Sequence, residues 1–234
     1  MHNQKLAPII TIDGPSGTGK GTISQMIAKH LHWNYLDSGS IYRVLGFAAI
    51  RNNISLQDTR SLVSLAHSLD LSFKIDGDFS RRVFLEELDI SDLIRTESCG
   101  QHASVITANQ EVRAALLQRQ RQFATEPGLV TDGRDMGTVV FPQAVVKIFL
   151  TASVEVRAHR RCLQLKKEIN DANLAQVAKQ LSERDARDSL RDCAPLVAAN
   201  DAFAVDTTES SIAEVFAKVL KIINEVLATK GRLF

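Results

Sequence analysis

Nine consecutive residues, Gly14-Pro15-Ser16-Gly17-Thr18-Gly19-Lys20-Gly21-Thr22, have the types and spacing that let a backbone hold an anion. The string reads glycine, four residues, glycine, lysine. Glycines let successive N–H groups turn inward around a phosphate. A helix beginning near Lys20 aims its positive dipole end at the same point. Lys20 then reaches the β- and γ-phosphates, so the segment predicts a nucleoside-triphosphate loop. One position departs from the general pattern. A Ser or Thr that ligates magnesium is expected directly after the lysine, whereas here Gly21 intervenes and the hydroxyl comes at Thr22. Asp132, at the end of an apolar run, is the carboxylate expected to join Thr22 in holding Mg2+, through water.

A second set of residues bears on a second anion. Arg184, Asp188 and Arg191 stand at i, i+4 and i+7, which predicts one helix stripe, with Arg187 beside it. Arg157, Arg160 and Arg161 precede them on another predicted helix. Two such clusters can neutralise a transferring phosphoryl group; without a phosphate loop in the chain they would read as solvated, salt-bridged faces. Arg134 and Asp135 follow Asp132-Gly133 at the carboxyl edge of a predicted strand, where α/β proteins bind ligands, and Ser38 and Arg43 follow the second strand at the corresponding edge. The loop alone leaves a switch GTPase, a motor ATPase and a small-molecule kinase open. The chain has no Asn-Lys-x-Asp guanine reader and is short for a motor ATPase, while its arginines supply the second anion site that a kinase needs.

The elements that must position these residues are legible from periodicity. Ile9 to Ile12 is a β-branched run that reads as a buried parallel strand. Ile23, Met26, Ile27 and Leu31 fall at helical spacing after the loop, Trp33 to Leu36 reads as a second strand, and Asp37-Ser38-Gly39-Ser40 is helix-start chemistry. Strand, loop, helix, strand is the βαβ signature. Leu71 to Ile75 and Arg82 to Leu85, around Asp76-Gly77-Asp78, predict an antiparallel hairpin inside an insert spanning about residues 70–95. A helix is expected over about Asn109 to Phe123. Further strands are expected at Leu129 to Thr131, Val145 to Leu150 and Ala204-Val205. A charged helical region spans Ser153 to Leu190, and an amphipathic helix, Ile212 to Leu227, carries Ile212, Val215, Phe216, Val219 and Leu220 on one face. The sum is a parallel sheet with helices on both faces.

Composition narrows the setting. The 234 residues fit one large domain, and 44% apolar content suits an ordinary globular core. A net charge of +1 provides no global field toward a nucleic-acid polymer or an anionic membrane. Cys99, Cys162 and Cys193 are odd in number and form no CxxC pair, which argues against a disulfide framework and a zinc site and for three free thiols in a reducing compartment. His30 and His32, without an HxxxH partner, read as surface or capping residues. The N-terminal stretch is too polar for a signal peptide and no apolar run reaches the roughly 18 residues of a span, so a cytoplasmic protein is expected, and without an obvious exposed apolar stripe a monomer is expected.

The phosphate loop, then Leu36-Asp37-Ser38-Gly39-Ser40-Ile41-Tyr42-Arg43, then Asp132-Gly133-Arg134-Asp135-Met136-Gly137-Thr138, then Glu183-Arg184-Asp185 with Arg187-Asp188 and Arg191, together resemble the bacterial cytidylate kinases. The Gly-Lys-Gly-Thr ending is also the loop form of nucleoside monophosphate kinases. The resemblance implies a P-loop three-layer α/β fold with a five-stranded parallel sheet. It implies a monophosphate-binding region over about residues 39–125 that contains the antiparallel insert, and a short helical lid over about 155–191. It implies transfer of the γ-phosphoryl group of ATP, with Mg2+, to CMP or dCMP in pyrimidine nucleotide metabolism. Asp135 and Ser104 would lie beside N4 of cytosine, with Arg113 donating to its acceptor edge. Asp188 would accept from the sugar hydroxyl, while Ser38 joins the acceptor site. Arg43, Arg134 and Arg184 would clamp the monophosphate, Arg191 would stabilise the transferring phosphoryl, and Arg157 and Arg161 would belong to the lid over ATP. Glu87 stands where the family's tighter turn has glycine. A kinase for UMP or a small hydroxy acid, and a nucleotide-dependent regulatory switch, are the alternative readings.

Overall fold

The computed structural model describes residues 7–75, 81–165 and 168–230. The chain divides into two compact units, one made of Met1–Leu36 with Phe123–Phe234 and the other of Asp37–Gln122.

The first unit is built on a five-stranded sheet. Its strands are β1 (Ile9–Asp13), β2 (Asn34–Asp37), β6 (Leu129–Gly133), β7 (Val146–Thr151) and β8 (Phe203–Asp206), in the order β2-β6-β1-β7-β8. β1 lies parallel to β6 and to β7, and β7 lies parallel to β8. The helices α1 (Lys20–Leu31) and α8 (Ile212–Lys230) cover one face, where Ile10, Ile12, Val130, Val146, Ile148 and Leu150 meet Ile23, Ile27, Val215, Val219 and Ile223. The expected α8 stripe is corrected at its start. Ile212 is 58% exposed because the first turn stands clear of the cluster, and the buried stripe runs Val215, Val219, Ile223. His32 takes a left-handed conformation as the C-cap of α1, and the His30 ring meets Phe216 edge-on with centroids 5.9 Å apart.

Strand period assigns the acidic residues to opposite faces. Ile12 pairs with Asp132 and Asp13 with Gly133. Successive side chains alternate, so Asp132 shares the α1 face with Ile12 while Asp13 points to the other. On that other face a short π-helical turn, Met136–Val140, packs against β1. The charged region after β7 is two helices, α6 (Val154–Gln164) and α7 (Asp171–Ser189), joined by their own apolar cluster of Ala158, Cys162, Val177 and Leu181. Both helices lie within the charged helical region expected from Ser153 to Leu190.

The second unit holds α2 (Ser38–Arg51), α3 (Thr59–Ser68), α4 (Glu97–Ile106) and α5 (Gln110–Arg121), with an antiparallel sheet of β3 (Leu71–Ile75), β4 (Arg81–Leu85) and β5 (Leu88–Asp89). The Asp37 carboxylate caps α2 by accepting from the Ser40 amide, and Asn109 caps α5. The predicted turn at Asp76-Gly77-Asp78 lies outside the described residues. β5 is an additional strand, too short for periodicity to reveal. The β4–β5 turn places Glu86 at φ 57°, so the residue in a glycine-favouring conformation is the neighbour of Glu87. Cys99, Cys162 and Cys193 are free thiols.

Candidate active site

In the first unit, the phosphate loop joins β1 to α1. Gly19 is the N-cap of α1; no side chain caps the helix, and its first turn carries no acidic residue. Its leading N–H groups are thus left for an anion rather than for the protein's own carboxylates. Gly17 has φ +85°, and a Cβ on it would stand 2.9 Å from the Arg157 Cβ, so the loop presses against α6 where only glycine fits. The Lys20 ammonium and the Thr18 hydroxyl both donate to the Pro15 carbonyl, each at 3.1 Å, which draws the loop around itself. Ser16 offers its carbonyl to Arg157 at 3.1 Å.

Asp132 is buried and accepts from the Tyr35 hydroxyl at 2.6 Å. Among the described residues no group of three or more His, Cys, Asp or Glu is arranged to hold a metal. One fixed carboxylate on the α1 face suits Mg2+, which keeps most of its waters and takes its remaining ligands from substrate phosphates. Thr22 is exposed on the first turn of α1.

Three of the predicted arginines come together around one carboxylate. Asp188, near the end of α7, is buried; its Oδ2 lies 2.9 Å from Arg134 Nε and 3.9 Å from Arg184 Nε. Arg191 does not share the helix stripe, because α7 ends at Ser189. It stays beside Asp188 through the turn that follows, donating from Nε to the Asp188 carbonyl at 3.2 Å. Burial pushes the Asp188 carboxyl up, but the charges of Arg134, Arg184 and Arg191 outweigh it and hold the group below the ordinary aspartate range. Three guanidinium groups thus act on one carboxylate.

Arg157 lies elsewhere in this unit. It is buried, donating to the carbonyls of Ala152 and Ser16 and to the Asp185 carboxylate at 3.0, 3.1 and 2.5 Å. It therefore ties the phosphate loop to α6 and α7. Arg161 is half-buried and donates to Gln164 on its own helix at 2.8 Å. Asp135, after β6, is buried and is the N-cap of the Met136–Val140 turn, yet its side chain does not cap it. Asp13 does that from β1, accepting from the amides of Met136 at 2.9 Å and Gly137 at 2.8 Å. Burial pushes the Asp13 carboxyl up to about 6; the two amides and Lys20 oppose this, and the Asp135 charge adds to it.

The second unit carries Ser38, Arg43, Ser104 and Arg113. Ser38 is buried and accepts from Gln120 at 2.8 Å. Arg43 on α2 donates to the carbonyls of Ile94 and Thr96 at 2.8 and 3.2 Å. Arg113 on α5 is buried with its guanidinium carbon 5.7 Å from the Tyr42 ring centroid, a cation–π arrangement. Ser104 on α4 is buried, and its hydroxyl has no hydrogen-bond partner among the described residues. A buried hydroxyl without a protein partner is costly unless a ligand supplies one.

Sequence reasoning missed Asp13, Tyr35 and Gln120, and gave Asp185 no role within its motif. Asp13 carried a signal, since it ends an apolar strand on a charge directly before the loop. The other three are defined only by partners remote in sequence.

A β-strand, a glycine loop and an uncapped helix start on a parallel sheet, with an arginine cluster in the same unit, define a phosphate-binding α/β protein of the phosphotransferase type. The family profile described as cytidylate kinase matches residues 10–225, and the chain belongs to that family. A protein of Nitrosococcus oceani named cytidylate kinase is 55% identical over 218 residues, covering 92% of this chain and 96% of the relative. A Shewanella putrefaciens protein of the same name is 51% identical over 224 residues, covering 95% and 97%.

Proposed function

We propose that the protein transfers the γ-phosphoryl group of ATP to CMP or dCMP, giving ADP and CDP or dCDP, in pyrimidine nucleotide metabolism. Membership of the cytidylate kinase family supports the reaction, and the observation that carries it in the structure is the cluster of Arg134, Arg184 and Arg191 around Asp188, in the same unit as the phosphate loop. Phosphoryl transfer needs little covalent chemistry from a protein; it needs alignment and neutralisation of charge on the moving oxygens.

The roles divide by residue. The loop from Gly14 to Thr22 holds the donor phosphates, with Lys20 on the β- and γ-oxygens. Asp132 and Thr22 hold Mg2+ through water; when bound, the ion neutralises charge on the β- and γ-phosphates. Arg134 and Arg184 bind the acceptor phosphate, and Arg191 stabilises the transferring group; Arg43 is the second unit's candidate for a phosphate contact. Asp188 orients the arginines and accepts from the sugar. Cytosine has an amino donor at N4, where uracil has an oxygen, so the Asp135 carboxylate favours cytosine and repels uracil. Ser38, Ser104 and Arg113 are the second unit's candidates for nucleotide contacts. Arg161 faces the donor as part of a lid, and Arg157 supports the loop from below it. The substrates are small nucleotides rather than a nucleic-acid polymer or a membrane; no helix among the described residues is long and apolar enough to cross one. A monomer in the cytoplasm is the corresponding setting.

An acceptor panel in an ADP-release assay tests this. CMP-dependent release supports the proposal. Release that depends on UMP or a hydroxy acid instead, or slow hydrolysis indifferent to acceptor, overturns it in favour of another kinase or a regulatory switch respectively. Asp135→Ala is expected to lower the CMP-over-UMP ratio of kcat/KM by about tenfold to a hundredfold, the scale of one lost buried polar contact. An unchanged ratio removes Asp135 from base reading.

A further inference from the structure

We infer that Asp13 is a positioning residue for acceptor choice: by capping the Met136–Val140 turn from the neighbouring strand, it keeps the Asp135 carboxylate from capping that turn itself. The inference rests on the proposed role of Asp135 in reading the base.

Aspartate is among the residues that most readily cap a helical turn, by folding its carboxylate onto the amides that follow it. Asp135 occupies the N-cap position, at φ −144° and ψ 22°, and makes no such bond. The reason is on β1. Both oxygens of Asp13 are used, Oδ1 by the Met136 amide at 2.9 Å and Oδ2 by the Gly137 amide at 2.8 Å. Two of the three amides that open the turn, those of Met136 and Gly137, are therefore already taken, and Gly137 is one of the two positions an N-cap side chain uses. The turn cannot slide away from Asp13, because it lies tight on β1: a Cβ at Gly137 would stand 2.8 Å from the Thr11 hydroxyl. Asp135 is buried as Asp13 is, and its negative charge opposes that of Asp13. Lys20 of the phosphate loop lowers the cost of the Asp13 charge. The sequence places Asp13 next to Gly14, so one residue joins the donor loop to the segment that selects the acceptor.

Asp13→Asn is nearly isosteric and turns one acceptor into a donor that faces an amide. Released from Asp13, that amide becomes available to Asp135, which then turns toward its own backbone. Steady-state kinetics with CMP and UMP at saturating ATP read the effect. Asp13→Asn is expected to raise KM for CMP by about tenfold and to lower the CMP-over-UMP ratio of kcat/KM by a similar factor, the size of one misplaced polar contact. The KM for ATP should move by less than about threefold, since the loop keeps its own hydrogen bonds. Added to Asp135→Ala, the same substitution should leave the ratio within about twofold of the single variant, because residues acting through one contact are not additive. Equal loss of selectivity in both backgrounds, an unchanged ratio in folded Asp13→Asn, or equal rises in KM for ATP and CMP would each overturn the inference. Asp13→Ser, which keeps one acceptor, gives a second variant should Asp13→Asn not fold; it should show a smaller fall in the ratio, and no fall overturns the inference. A wild-type enzyme inactive with CMP is seen before any variant is made, and it defeats the functional proposal itself.

Discussion

The phosphate loop and the arginine cluster both manage negative charge, and they are built in opposite ways. The loop is contiguous, and its working groups are backbone amides released by glycines and by a helix start without an acidic first turn. The cluster draws Arg134 from the end of β6, Arg184 and Asp188 from α7 and Arg191 from beyond it, and one buried carboxylate organises it. Chain connectivity pre-organises the first device, whereas a long-range ion pair pre-organises the second. A side-chain change should therefore remove chemistry from the loop without unfolding it, but remove both chemistry and stability from the cluster.

Lys20→Ala gives the largest expected effect on activity. The side chain donates to the Pro15 carbonyl of its own loop at 3.1 Å, and its truncation leaves the glycines and the helix start of the loop in place. Turnover should fall by about a hundredfold to a thousandfold, the range for losing one charge-stabilising group. Near-normal kinetics would break the loop assignment. Asp188→Ala tests the opposite side. It leaves three arginines beside one another without their buried counter-charge, and breaking such a pair costs about 3–5 kcal/mol. Denaturant titration should show that loss, together with a raised KM for the acceptor. A variant as stable as wild type would mean that the arginines do not need Asp188 to stay together.

The same contrast explains what could be read before the structure. The loop was legible because its function lies in consecutive residue types: glycines, a lysine and a preceding β-branched run. β1, β6 and β7 were legible for a similar reason, as buried parallel strands are continuous apolar runs. The cluster was legible only in part. Helical spacing brought Arg184 to Asp188, but it also put Arg191 on a helix that ends two residues earlier, and nothing in spacing tied Arg134 to Asp188 across 54 positions. Asp13 and Asp132 sit at the ends of adjacent strands, yet a shift of one position in register sends them to opposite faces and different tasks. Burial of Arg157 was illegible for the same reason: its partners, Ser16 and Asp185, lie 141 and 28 positions away.

Acidity sharpens the comparison between carboxylates at comparable burial. Arginines hold Asp188 below the ordinary range, so its contribution to stability is complete above about pH 4 and is lost as pH falls through its lowered value. Burial pushes Asp13 the other way, to about 6. A carboxyl with a raised folded pKa favours the fold while protonated, and that advantage disappears as pH rises from about 4 to about 6. The shift from 3.8 to about 6 corresponds to roughly 3 kcal/mol. Denaturant titrations of wild type and Asp13→Asn between pH 4 and 7 isolate it, because all other groups titrate in both. The wild type should lose stability relative to the variant across that window; parallel curves would show that Asp13 is not desolvated as its burial implies.

The smallest change, one methyl group, asks whether the loop owes its form to backbone alone. Gly17→Ala places a side chain at φ +85°, and the added Cβ meets the Cβ and backbone of Arg157 rather than the flexible end of its side chain. The clash cannot be relieved by a rotamer change, so the loop must move, at a cost of about 1–2 kcal/mol. Arg157 also bonds the Ser16 carbonyl, so the displacement reaches the segment that wraps the donor phosphates. The KM for ATP should rise while the KM for CMP holds, the reverse of the pattern expected from Asp13→Asn. Equal changes in the two constants would mean that loop and cluster do not act as separable devices, and that α6, which Arg157 anchors against both the loop and Asp185 of α7, couples them.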